Sequence, residues 1–92
     1  MLFHLCCVDK PDSLELRLAT RESHLAYVSG HTEKLVLAGP LLSDDGEAMQ
    51  GSLFIINAAS REEVENFTDQ DPYNKAGLFD EVTITRFKQV VP

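Results

Sequence analysis

The 92-residue sequence is short of cations, of cysteine and of long apolar runs, and each shortage excludes something. Eight Lys and Arg stand against fifteen Asp and Glu, leaving a net charge of −7. A surface of that sign cannot displace counterions from a nucleic-acid backbone, and anionic lipid repels it. The expected partners are therefore a small molecule and a second copy of the chain, with no nucleic acid and no membrane. Cys6 and Cys7 are the only cysteines and they are adjacent. On a strand their side chains point to opposite faces, so they cannot bridge one another. His4, Cys6, Cys7, His24 and His31 show no metal-site spacing, and no glycine-rich loop precedes a helix, so no metal or cofactor is expected. No apolar run approaches the roughly 20 residues of a membrane helix. Met1-Leu2-Phe3-His4 lacks a basic segment ahead of its apolar run, so no secretory leader is expected and the expected compartment is the reducing cytoplasm.

What is present is a series of short apolar runs divided by turn chemistry. The organising stretch is Lys34 to Asn57, where Leu35–Leu42 and Leu53–Ile56 flank a polar loop containing Asp44-Asp45-Gly46 and Gly51. This pattern predicts a β-hairpin with a long loop. Met1–Val8 predicts a strand apolar on both faces, with Leu2, Cys6 and Val8 on one and Phe3, Leu5 and Cys7 on the other. Asp12 or Ser13 caps a helix whose apolar stripe is Leu14, Leu18, Leu25 and Val28, the side expected to turn inward. Arg21 falls within that stripe and His24 on its flank, and Gly30 closes the helix. Ser60 and Glu63 form a capping box for a second helix that turns Val64 and Phe67 inward and ends before Pro72. Asp71-Pro72-Tyr73-Asn74 reads as a turn. The last strand is expected from about Phe79 to Val90, with a bulge or a departing tail near Arg86.

The order β-α-β-β-α-β in one domain over residues 1–92 predicts an α+β fold of ferredoxin-like plan. Two right-handed crossovers place both helices on one face of a four-stranded antiparallel sheet. The other face is left bare, yet the first and third strands are apolar on both sides. Such a patch is too large for a monomer, so a homodimer packed sheet to sheet, closed like a barrel, is expected.

Three ionisable residues stand out by position: His24 beside the helix stripe, Arg21 one turn earlier, and Asp71 before Pro72. In this fold the first helix and the turn leading into the last strand can meet at one end of the sheet. A histidine paired with a carboxylate has a fixed tautomer and suits acid–base work near neutral pH. The plainer alternative is a half-exposed helix histidine and an aspartate that only caps a turn. Arg21 either anchors an anion with its planar fork or lays its stem along the sheet. Ser52 lacks a nucleophile-elbow context. Asp44 and Asp45 read as solvated turn residues.

Arg21-x-x-His24-Leu25-Ala26-Tyr27, Ala38-Gly39-Pro40-Leu41, Asp45-Gly46, Gly51-Ser52, Asp71-Pro72-Tyr73 and Gly77-Leu78-Phe79, in that order and spacing, resemble the YciI-like (YCII-related) family over nearly the whole chain. The resemblance implies a ferredoxin-like fold that dimerises through its sheets, similar to the dimeric α/β-barrel superfamily that includes muconolactone isomerase. It also implies a His–Asp site, carried by His24 and Asp71, with Arg21, Tyr73 and Gly39 as substrate-binding positions. The chemistry best supported in the family is dehydrochlorination of a chlorinated hydroxyquinol. Two functions of different class follow. One is a cofactor-independent lyase or isomerase acting by proton transfer on a small phenolic or enolisable substrate. The other is a noncatalytic metabolite-binding or interaction module using the same pocket.

Overall fold

Alternation along the first strand separates two environments. The computed structural model describes residues 1–92, and its first strand, β1 (Leu2–Asp9), buries Phe3, Leu5 and Cys7 while Leu2, His4 and Cys6 on the opposite side are only partly covered. The chain continues through α1 (Leu14–Ser29), β2 (Leu35–Leu42), β3 (Met49–Asn57), α2 (Arg61–Gln70), α3 (Pro72–Lys75) and β4 (Phe79–Phe87). The strands form one antiparallel sheet in the order β2-β3-β1-β4. The helices pack on one face, which is the ferredoxin-like α+β arrangement.

Register explains the core. Phe3 pairs with Ile56, Leu5 with Phe54 and Cys7 with Ser52, so these side chains share the helix-covered face. Val64 and Phe67 from α2, with Tyr73, Leu78 and Phe79 from the chain that follows, close over them. Each fully buried Phe, Leu or Ile contributes about 1.5–3 kcal/mol by leaving water. β3 begins at Met49, earlier than the apolar run at Leu53 suggests, because Gln50, Gly51 and Ser52 continue the ladder. Gly51 is required there: a Cβ would lie 2.5 Å from the Cys7 carbonyl oxygen.

α1 departs from the expected orientation. Arg17 and His24 are its buried residues, whereas Leu18 is 55% and Leu25 46% exposed. At 100° per residue the leucine stripe lies about a quarter turn from the face that meets the sheet. The roll is set by polar partners: Arg17 and His24 each find a carboxylate, and the leucines have no comparable anchor. The turn expected after α2 is the one-turn helix α3, with Pro72 in its first turn and Asp71 as N-cap accepting from the Tyr73 N–H at 2.9 Å. The Ser60 cap forms as expected, accepting from the Glu63 N–H, and the Glu63 carboxylate reaches back to the Ala59 N–H. β4 stops at Phe87 rather than near Val90, so the chain leaves the sheet as a tail just after Arg86, while the register irregularity lies where Asp9 pairs with Phe79. No helix is long and apolar enough to cross a membrane.

Candidate active site

Arg17 and His24 are seven residues apart, two helical turns, and so project from one side of α1. Between them and the β2–β3 strands lies a cavity of about 100 Å³. That is the scale of a site for one small ring, since an engineered 150 Å³ apolar cavity holds benzene. Its wall on the sheet side includes Ala38, Gly39, Pro40 and Phe54, and on the helix side Arg21, Leu25 and Val28.

Asp71 is placed by local chemistry. Pro72 keeps it out of the helical region, its backbone is extended at φ −64° and ψ 126°, and it therefore ends α2 and caps α3. One of its oxygens, Oδ1, accepts from the Tyr73 N–H and lies 2.8 Å from His24 Nδ1. Both side chains are nearly inaccessible to solvent. An ionised carboxylate only accepts, so the proton on this contact belongs to Nδ1. His24 Nε2 has no protein partner, and no buried side-chain nitrogen or oxygen lacks one. Nε2 is therefore open, and the cavity lined by His24 is where it opens.

Tyr73 organises the rest. Its ring stacks on the His24 imidazole at 3.9 Å between centroids and 17° between planes. The Arg17 guanidinium carbon lies 4.4 Å from the same centroid. Two planar groups cannot occupy one face of a ring at these distances, so Tyr73 is held between them. Burial pushes the Tyr73 hydroxyl above its usual pKa, with Arg17 and Arg21 pulling against that shift. It stays a protonated donor at neutral pH, and it too has no protein partner. Cys7, behind the site, is pushed up to about 12 by burial and by the Asp71 charge, which makes it an inert core thiol.

The structure thus brings His24, Asp71 and Tyr73 into contact and places Arg21 and Gly39 on the cavity wall. Arg21 does not anchor Asp71; it is exposed at the rim without a carboxylate partner. Arg17 and Ser52 are members of the site that sequence reasoning missed. Arg17 is buried, donates from Nε and Nη2 to the two Asp9 oxygens at 2.7 and 3.1 Å, and donates from Nη2 to Ser52 Oγ at 2.8 Å. The available signal was the seven-residue spacing of Arg17 and His24, which the neighbouring leucines obscured.

The chain is similar to known proteins over nearly its whole length. Residues 1–88 match the YCII-related domain. Protein YciI of Escherichia coli O6:H1 is 39% identical, over 98% of this chain and 99% of that one. The solved structure of 5-chloro-2-hydroxyhydroquinone dehydrochlorinase (TftG) from Burkholderia phenoliruptrix AC1100, in complex with 2,5-dihydroxybenzoquinone, superposes with a TM-score of 0.89. It is 38% identical and the match covers 96% of this chain and 94% of that chain. An antibiotic biosynthesis monooxygenase superposes at a TM-score of 0.57 with 10% identity, a likeness of fold alone.

Proposed function

The chain belongs to the YCII-related family, and from that premise we propose that it is a lyase-type enzyme that moves a proton on a small ring-shaped substrate, with His24 and Asp71 as its dyad. The observation that carries the reading is the His24 ring, bonded through Nδ1 to Asp71 and open through Nε2 to a ring-sized cavity. Nε2 takes a proton from a carbon or hydroxyl of the substrate. Asp71 holds the Nδ1–H and stabilises the imidazolium that forms. Negative charge then grows on a substrate oxygen, and the guanidinium groups lining the cavity stabilise it. Gly39 pairs with Leu53, which faces the other side of the sheet, so it contributes backbone to the cavity wall.

In an elimination of this kind His24 takes a hydroxyl proton, the electron pair enters the ring, and the carbon bearing the leaving group gains a proton. Loss of the second hydroxyl proton then expels the leaving group with its bonding pair and leaves a quinone. Atoms and electrons balance without an oxidant or a cofactor. A chlorinated hydroquinone is the substrate class to try first, because TftG is a dehydrochlorinase of such a compound. The test is chloride release from a panel of ring-chlorinated hydroquinones by the wild type and by His24→Gln. Turnover in the wild type falling about 10²–10⁴-fold in His24→Gln supports the proposal. Binding without chloride release anywhere in the panel points instead to the metabolite-binding module.

We also infer that a second copy covers the open face of the sheet. Leu37, Val8 and Phe87 lie on that face at 51%, 38% and 41% exposure.

A further inference from the structure

A guanidinium offers five N–H donors, and the protein occupies three of those on Arg17. Asp9 takes one from Nε and one from Nη2, and Ser52 Oγ takes the other from Nη2. Nη1 is left without a protein acceptor. Because no buried side-chain nitrogen lacks a partner, the small exposure that Arg17 keeps, 2%, includes Nη1, and Arg17 lines the cavity.

The charges around that cavity are one-sided. Arg17 and Arg21 both line it, and no Asp or Glu does. Asp71 is engaged by His24 and the Tyr73 N–H, and Asp9 by Arg17. A chain of net charge −7 thus places two guanidinium groups on this wall, the charge of Arg17 partly offset by Asp9 behind it. The two arginines differ in kind. Arg21 is an exposed, mobile point of attraction, while Arg17 is fixed by four contacts: Asp9 twice, Ser52, and the face of Tyr73. Only a fixed donor can favour one position of an oxygen.

We propose that Arg17 is the residue that receives the substrate's negative oxygen, and that the site takes a planar ring anion, an enolate or phenolate. This rests on the proton-transfer reading and extends it. Arg17 Nη1 sets where the oxyanion lies, and the shared contact with Tyr73 sets that point relative to His24. Asp9 acts through Arg17 as a positioning residue, and its negative charge weakens the pull of Arg17 on a ligand.

The test is binding of 2,5-dihydroxybenzoquinone, followed by its visible absorbance or by calorimetry, with folding checked by circular dichroism. Arg17→Gln should weaken binding at least tenfold, Arg21→Gln by a smaller factor, and added salt should weaken wild-type binding. Because Arg17→Gln strands the buried Asp9 charge and so destabilises the fold, the paired variant Asp9→Asn/Arg17→Gln keeps two uncharged groups in place and should show the same loss. Asp9→Asn alone should bind the anion more tightly, since Nη1 remains and its competing carboxylate is gone. An arginine present only to neutralise Asp9 would give no such gain. Affinity unchanged in the folded paired variant, or unchanged or weaker in Asp9→Asn, overturns the proposal. Loss of binding in the Arg17 variants with no turnover of any ring-chlorinated hydroquinone overturns the elimination reading and leaves Arg17 as the anchor of a bound anion in a noncatalytic site.

Discussion

A single oxygen, Asp71 Oδ1, serves both the Tyr73 N–H and His24 Nδ1, so the cap of α3 and the orientation of the imidazole are one feature. This explains how a four-residue helix can hold a reactive side chain on a different element. Part of it is legible in sequence: the proline after Asp71 forces the extended backbone that makes a cap possible. Arg17 is not legible in the same way, because its partners Asp9 and Ser52 are 8 and 35 residues away and no local period connects them. Buried polar residues are placed by partners, whereas periodicity registers only apolar ones. Cys7 supplies a prediction at this scale. Its pKa is raised from 9.0 to about 12, so below pH 9 the thiol is protonated in both folded and unfolded chains and the contribution to stability is complete. As pH rises from 9 towards 12 the unfolded chain loses the proton first, and that contribution is lost. Iodoacetamide at pH 8, with sites located by mass spectrometry, should label Cys7 only after denaturation. Labelling in the native protein at the denatured rate would contradict its burial.

Strand and helix order were readable because the strands are short apolar runs bounded by Pro, Gly and Asp, and because Ser60 and Glu63 mark a helix start. The orientation of α1 was not. Leu14, Leu18 and Leu25 form the better apolar stripe, and the helix nevertheless turns Arg17 and His24 to the sheet. A buried polar group without its partner is worse than an exposed leucine, so the contacts of Arg17 with Asp9 and of His24 with Asp71 decide the roll. Two substitutions test the placement. Leu18→Gln on the outer side of α1 should change unfolding free energy by no more than about 0.5 kcal/mol. Gly51→Ala should destabilise by about 1–3 kcal/mol, because its Cβ would press on the Cys7 carbonyl, which belongs to backbone and cannot swing aside. Urea unfolding of both variants provides the comparison. A large loss in Leu18→Gln would mean that the leucine stripe faces inward after all.

At the scale of the molecule the sheet has a covered apolar face and an open one, where Leu2, Cys6, Val8, Leu37 and Phe87 share the surface with His4, Thr83 and Thr85. Only 18 of 92 residues are buried, so the core is a single layer and has little to spare if the open face is left to water. A second copy is the proposed cover. Leu37→Asp, on the edge strand of that face, should shift the chain towards monomer in light scattering at micromolar concentration; a wild type already monomeric there would contradict the dimer. The site itself joins α1, the edge strand β2, β3 and the α2–α3 junction, so its geometry holds only when the whole fold is in place. The central claim is that this fold delivers His24 with Nδ1 protonated towards Asp71 and Nε2 free to move a substrate proton. Long-range ¹H–¹⁵N spectra of the neutral His24 ring, recorded as 2,5-dihydroxybenzoquinone is added, test it most directly. The account predicts a proton on Nδ1 throughout and a shift confined mainly to Nε2 as the ligand binds. A ring protonated on Nε2, or an Nε2 signal indifferent to a bound ligand, would contradict it.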